Sequence, residues 1–101
     1  MSLDQLLEKA QEYLPPEKIA LVKKAYEFAA EAHKGQMRKT GDPYIEHPLQ
    51  VALILARVQL DANSLAAALL HDVPENCGIP VEKLEARFGP EVAKLVDGVP
   101  G

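Results

Sequence analysis

The adjacent pair His71 and Asp72 is the strongest chemical signal in this sequence, because it directly follows a very apolar stretch, residues 65–70. Imidazole nitrogen and carboxylate oxygen both bind divalent metal ions. Successive residues of an α-helix point about 100° apart, so two neighbours reach one ion only near a helix end or with help from a third element. His47, which precedes Pro48 where a loop turns into a helix, supplies that third element. This ligand set favours manganese, iron or zinc over calcium and leaves open positions for water and substrate.

Each of these features is ambiguous when it is taken alone. A histidine–aspartate pair at a helix end is often only a surface pair or a C-terminal cap, and a histidine before proline is unremarkable. The metal interpretation therefore depends on elements that bring His47 to the pair.

Helices are the elements that the sequence predicts. Five aromatic residues, few β-branched ones and no strict alternation argue against strands. Ser2 and Gln5 fit a capping box before the first helix. A fourth helix, capped by Asp61, is apolar on nearly all sides and should be central. We predict an all-α bundle of about six helices, at about residues 3–14, 16–33, 48–59, 62–72, 81–87 and 90–96.

Length and composition predict one globular domain over residues 1–101, with 48% hydrophobic and 26% charged residues. The net charge of −4 gives no global attraction to nucleic acid or to an anionic membrane. Charged residues interrupt every apolar run before it reaches the ~20 residues of a membrane span. The single cysteine, Cys77, and the absence of a signal-peptide pattern at the start lead us to expect a cytoplasmic protein.

Residues 34–46 form a predicted loop that concentrates positive charge at Lys34, Arg38 and Lys39. Arginine can stack on a base or bridge phosphate oxygens, whereas lysine acts as a point charge. The alternative is a solvated basic loop. We expect His33 to pack or cap at the end of the second helix, and Tyr44 to pack this loop against the fourth.

Four segments of the chain resemble, in order and at matching spacing, the hydrolase domain of the RelA/SpoT guanosine tetraphosphate enzymes, a branch of the HD phosphohydrolases. They are AYEFAAEAHKGQ at 25–36, RKTGDPYIEHP at 38–48, LAAALLHDVPE at 65–75, and FG with VAKLVDGV at 88–99. The resemblance extends over about residues 20–99 and implies a compact HD-domain helical bundle.

The resemblance also implies a metal site and its ligands. In that family the ion, usually manganese, is held by residues that match His47, His71 and Asp72, together with a later aspartate. The loop-like ending of the sequence leads us to expect a chain truncated before that fourth ligand, before the C-terminal helices of the domain, and without the other domains of the long family members. Apolar faces left exposed in this way would favour self-association into a homo-oligomer.

Four further residues receive roles from the resemblance. Arg38 and Lys39 match the loop that grips the guanosine part of the substrate. Glu75 and Asn76 match a glutamate and an aspartate that position and activate the attacking water. The implied reaction is hydrolysis of guanosine 3′,5′-bispyrophosphate (ppGpp) to GDP and pyrophosphate.

Asn76 departs from the family pattern, because an amide carries no charge and cannot act as a base. This departure keeps three alternatives open. The chain could bind nucleotide or a protein partner without hydrolysis, it could be an HD phosphohydrolase for another nucleotide, or a partner chain could supply what is missing. Glu75 could likewise be only a solvated residue at a helix end.

Overall fold

The computed structural model describes residues 3–98, and within that range the chain forms helices and no strand beyond an isolated bridge between Met37 and Pro43. The seven helices of the described range are α1 (Leu3–Gln11), α2 (Pro16–Ala32), α3 (Glu46–Arg57), α4 (Ala62–Leu70), α5 (Val73–Cys77), α6 (Val81–Phe88) and α7 (Pro90–Asp97). The predicted all-α bundle is confirmed. Ser2, predicted to cap the first helix, and Val99 to Gly101, predicted as loop, lie outside the described residues.

Helix α4 is the centre of the bundle, as its composition predicts. Every residue from Leu65 to Leu70 is buried, and α2, α3 and α7 pack around them. The predicted cap is also found, because the Asp61 side chain accepts a hydrogen bond from the Ser64 amide at 3.3 Å. None of the helices within residues 3–98 is long and apolar enough to cross a membrane.

The chain leaves α4 at Leu70, earlier than the predicted end near residue 72, and starts the short α5 at Val73. The cause is Pro74, which has no N–H to donate to the carbonyl of Leu70 and whose ring crowds that carbonyl. Pro74 itself falls in the first turn of α5, where a missing N–H costs nothing. His71 and Asp72 therefore lie at a junction between two helices.

The connection from α2 to α3, residues 33–45, folds back on itself. Gly35 (φ 85°) turns the chain out of α2, and the Arg38 amide donates to the Asp42 carbonyl at 2.9 Å. The Tyr44 amide then donates to the Gln36 carbonyl, also at 2.9 Å. These bonds close the basic loop and return the chain to the start of α3, where His47 lies.

Candidate metal centre

Three side chains that are distant in sequence converge where α3 meets the α4–α5 junction. His47 comes from the first turn of α3, while His71 and Asp72 are the two junction residues. Each offers one ligand atom, and these atoms all lie within 4.8 Å of one another. The rings of His47 and His71 have centroids 6.0 Å apart. The group contains two imidazoles and a carboxylate, the chemistry of a divalent-metal site.

His71 is oriented by the end of its own helix. Its Nδ1 lies 2.6 Å from the carbonyl oxygen of Ala68, one of the carbonyls that the last turn of α4 leaves without an intrahelical partner. A carbonyl can only accept, so Nδ1 carries the proton in that hydrogen bond. The lone pair of the neutral ring is then on Nε2, the nitrogen that faces Asp72 at 3.2 Å from Oδ2.

This arrangement fits a cation. Two atoms that both carry lone pairs, Nε2 of His71 and Oδ2 of Asp72, repel each other at 3.2 Å unless positive charge lies between them. Both side chains are largely withdrawn from water, at 14% and 8% exposure, so solvent screens them poorly. A metal-binding histidine commonly donates its second ring N–H to a carbonyl, as His71 does here.

Tyr44 contacts the site directly, although the sequence predicted only a packing role. Its hydroxyl donates to Oδ2 of Asp72 at 2.9 Å. Burial raises the pKa of Tyr44, and donation to Asp72 raises it further, while a hydrogen bond from Asn76 and the charge of Arg38 act in the opposite direction. The net pKa lies above the ordinary value of 10.0, so the hydroxyl stays protonated at neutral pH and remains a donor.

Behind Tyr44 lies His33, the residue that ends α2 and is 2% exposed. Its ring stacks on that of Tyr44 with centroids 4.7 Å apart. Its Nδ1 lies 3.1 Å from Oε1 of Gln36, an acceptor, so Nε2 is left as an acceptor without a partner among residues 3–98. The prediction that His33 caps and packs at the end of the second helix is confirmed. The three histidines of the sequence thus lie at one place: His47 and His71 belong to the ligand group, and His33 stacks on Tyr44 beside it.

Cys77 contacts His33 and Gln36. Its Sγ lies 3.4 Å from Nδ1 of His33 and accepts from the Gln36 amide at 3.6 Å. Burial raises the pKa of its thiol, the charge of Asp72 adds to that effect, and the hydrogen bond from Gln36 opposes it. A thiol held in its protonated form is a poor nucleophile.

The other predicted site residues surround the group without belonging to it. Glu75 and Asn76 are exposed in α5, one turn beyond the ligands. The backbone carbonyl of Asn76 accepts a hydrogen bond from the Gln36 side chain at 3.3 Å, which joins α5 to the loop that carries Tyr44.

Arg38 and Lys39 are exposed in the closed loop and line a recess of about 370 Å³ together with Met37, Thr40 and Tyr44. Tyr44 also contacts Asp72, so this one residue joins the recess to the metal-ligand group.

A second depression has His71 in its lining. It is an almost wholly apolar groove of about 300 Å³ between α3, α4 and α7. The sequence predicts exposed apolar faces in general but not the position of this groove. Its lining consists of Val51, Leu55, Leu60, Ser64, Ala67, Ala68, His71 and Leu95.

The sequence alone does not predict that Tyr44 contacts Asp72, or that Gln36 and His33 lie behind Tyr44. The available signal was spacing, since Tyr44 lies three residues before His47 in a loop that must return to the same place. What the sequence could not show is the backbone closure between Gln36 and Tyr44, which turns the phenol towards Asp72.

Comparison with known proteins gives several close relatives. The guanosine-3′,5′-bis(diphosphate) 3′-pyrophosphohydrolase of Vibrio cholerae is 52% identical over 96 residues, which are 95% of this chain and 14% of that protein. The bifunctional (p)ppGpp synthase/hydrolase SpoT of Escherichia coli is 49% identical over 97% of this chain and 14% of its own length. A probable GTP pyrophosphokinase of Mycobacterium leprae is 46% identical over 96% of this chain and 12% of its own length.

The chain therefore spans about one seventh of these curated relatives. Their similarity confirms the resemblance to the RelA/SpoT hydrolase domain that the sequence motifs predicted. A family model described as HD domain matches residues 25–100, a range that includes His47, His71 and Asp72. Since that match covers more than half of the sequence, the chain belongs to the HD-domain family.

Proposed function

We propose that this chain is a metal-dependent hydrolase domain that cleaves guanosine 3′,5′-bispyrophosphate to GDP and pyrophosphate. The observation that carries the proposal is the convergence of His47, His71 and Asp72 within 4.8 Å, in a chain several of whose relatives are named as 3′-pyrophosphohydrolases of this nucleotide.

The proposed cofactor is a divalent cation, with manganese as the preferred ion. The three ligands would be His47, His71 and Asp72, a mixed nitrogen and oxygen set that suits manganese better than calcium. A divalent cation bound to them would polarise a phosphoryl oxygen and increase the acidity of a coordinated water.

The remaining roles belong to the surrounding residues. Arg38 and Lys39 are proposed to hold the nucleotide in the recess beside Tyr44, where their charges face away from the apolar core. Glu75 is exposed on α5, one helical turn beyond His71, and is proposed to orient the attacking water and accept its proton. Asn76 can fix a neighbour by hydrogen bonds but cannot take a proton.

The names of the relatives differ in the reaction, since some are hydrolases and others are pyrophosphokinases, which transfer pyrophosphate between nucleotides. This chain matches 12–14% of each, so a relative's activity can belong to a part that the chain does not match. Two imidazoles and a carboxylate around open positions are typical of metal-assisted hydrolysis. Hydrolysis is therefore the reaction we propose.

A pyrophosphate-release assay tests this function. The chain, stripped of metal and then supplied with Mn²⁺, should release pyrophosphate from ppGpp, and a chelator should stop the release. The same assay with other nucleotides tests whether the enzyme is an HD phosphohydrolase of different specificity. Release that continues unchanged in chelator would refute the proposal.

A second candidate function is nucleotide binding without hydrolysis, and Asn76 is the observation that favours it. Asn76 lies in α5, four residues after Asp72, where the family pattern expects a carboxylate. Tight binding of ppGpp together with absent pyrophosphate release would support this function over the first.

We further propose that residues 1–101 form one domain that acts in the cytoplasm and associates with itself. The Cα radius of gyration of 12.5 Å is close to the ~13 Å expected of a single compact domain of about 100 residues. The apolar groove and its partly exposed rim, Leu60 and Leu95, are the surface that we propose for this self-association.

A further inference from the structure

We propose that Tyr44 is a positioning residue for the cation site: by donating to Oδ2 of Asp72 at 2.9 Å it holds that carboxylate towards His71. The role rests on the metal site proposed above. Asp72 needs such a partner because it belongs to a junction between helices, with φ −91° and ψ −6°, and its side chain caps no helix. A carboxylate oxygen carries two lone pairs, so accepting from Tyr44 leaves one for a cation.

The phenol of Tyr44 is itself held on two sides. Its ring stacks on the buried ring of His33 with centroids 4.7 Å apart, and its backbone amide is bonded to the Gln36 carbonyl. The Gln36 side chain in turn donates to the Asn76 carbonyl at 3.3 Å, which ties the loop to α5. The hydroxyl therefore reaches Asp72 from a side chain that is itself held in place. A residue that orients a metal ligand has to be held in this way.

The test is the Mn²⁺ affinity of the metal-stripped chain, measured by calorimetry without substrate. Tyr44→Phe keeps the ring that stacks on His33 and removes only the hydroxyl, and it should weaken Mn²⁺ binding by about tenfold. The matched control is Tyr13→Phe, which removes a hydroxyl bonded to the Leu60 carbonyl at 2.6 Å. That hydroxyl serves no metal ligand, so the control should bind Mn²⁺ as the unmodified chain does.

Binding that is equal in the unmodified chain and in Tyr44→Phe would overturn the role of Tyr44 and leave the metal site standing. An unmodified chain that binds no Mn²⁺ would overturn the site itself and the role with it. Melting curves in chelator show whether each variant is folded. If Tyr44→Phe does not fold, Gln36→Ala decides, because it removes the side chain that ties the loop of Tyr44 to α5. Gln36→Ala should weaken Mn²⁺ binding in the same direction, and unchanged affinity would overturn the proposal.

Discussion

The side chain of His71 shows how one hydrogen bond can assign two ring nitrogens to different tasks. Nδ1 donates to the Ala68 carbonyl at 2.6 Å, and Nε2 is left to face Asp72. The sequence predicts that His71 and Asp72 lie near a helix end, and this is confirmed. It does not predict which nitrogen faces the site, because that depends on the exact turn at which α4 ends.

At the same scale, a substitution of Asn76 distinguishes a weakened catalyst from a domain that only binds nucleotide. We expect Asn76→Asp to increase pyrophosphate release at saturating Mn²⁺, because a carboxylate there can accept a proton from water. General-base catalysis contributes about a hundredfold or more, which sets the expected size of the gain. Saturating metal separates this gain from any change in metal affinity.

The matched control for that experiment is Gln11→Glu, which makes the same change from amide to carboxylate at an exposed position of α1. It should leave turnover unchanged. If Asn76→Asp releases no pyrophosphate while the chain still binds ppGpp, the binding function is favoured over the catalytic one.

At the scale of the helices, the decisive feature is the break between α4 and α5. The apolar run that makes α4 central and the proline that ends it are both visible in the sequence, and so is the Asp61 cap. The additional short helix α5 was not predicted as a separate element, because its five residues are too few to show periodicity. The closed loop before α3 depends on backbone bonds that no residue pattern specifies.

Pro74→Ala tests whether the break between α4 and α5 is needed to form the metal site. An N–H at residue 74 could donate to the Leu70 carbonyl, continue α4 into α5 and turn Asp72 away from His71. We expect Mn²⁺ affinity to fall by about tenfold. The free energy of unfolding without metal should change by no more than ~1 kcal/mol, because a gained hydrogen bond offsets the greater freedom of the unfolded chain.

Calorimetry and chemical denaturation measure these two quantities. Pro90→Ala is the control, since Pro90 begins α7 and no helix has to end before it. A Pro74→Ala variant that binds Mn²⁺ as tightly as the unmodified chain would show that the proline is not needed to form the site.

For the whole molecule, the bundle leaves apolar surface on one side of the ligand group. Leu60 and Leu95 line the groove, at 39% and 41% exposure, whereas the core residues of α4 are buried. Sequence periodicity predicted which residues of α4 are buried, but not this groove, since its walls come from three helices whose packing is a property of the tertiary structure.

Leu95→Glu tests the proposed self-association. A charge in the groove would have to be desolvated at a contact between copies, so association should weaken by at least about tenfold, ~1.4 kcal/mol. Sedimentation equilibrium over a range of concentrations gives the association constant of a chain of 11.0 kDa. Ala86→Glu adds the same charge on the exposed side of α6 and should have little effect. An unmodified chain that stays monomeric at every concentration would contradict the proposal.

The convergence of His47, His71 and Asp72 on one cation is tested most directly by the stoichiometry of Mn²⁺ binding to the purified, metal-stripped chain. The prediction is one ion bound per chain, and loss of that binding in His71→Ala, which removes the nitrogen that faces Asp72 while α4 stays intact. Full occupancy by Mn²⁺ in His71→Ala would contradict the account.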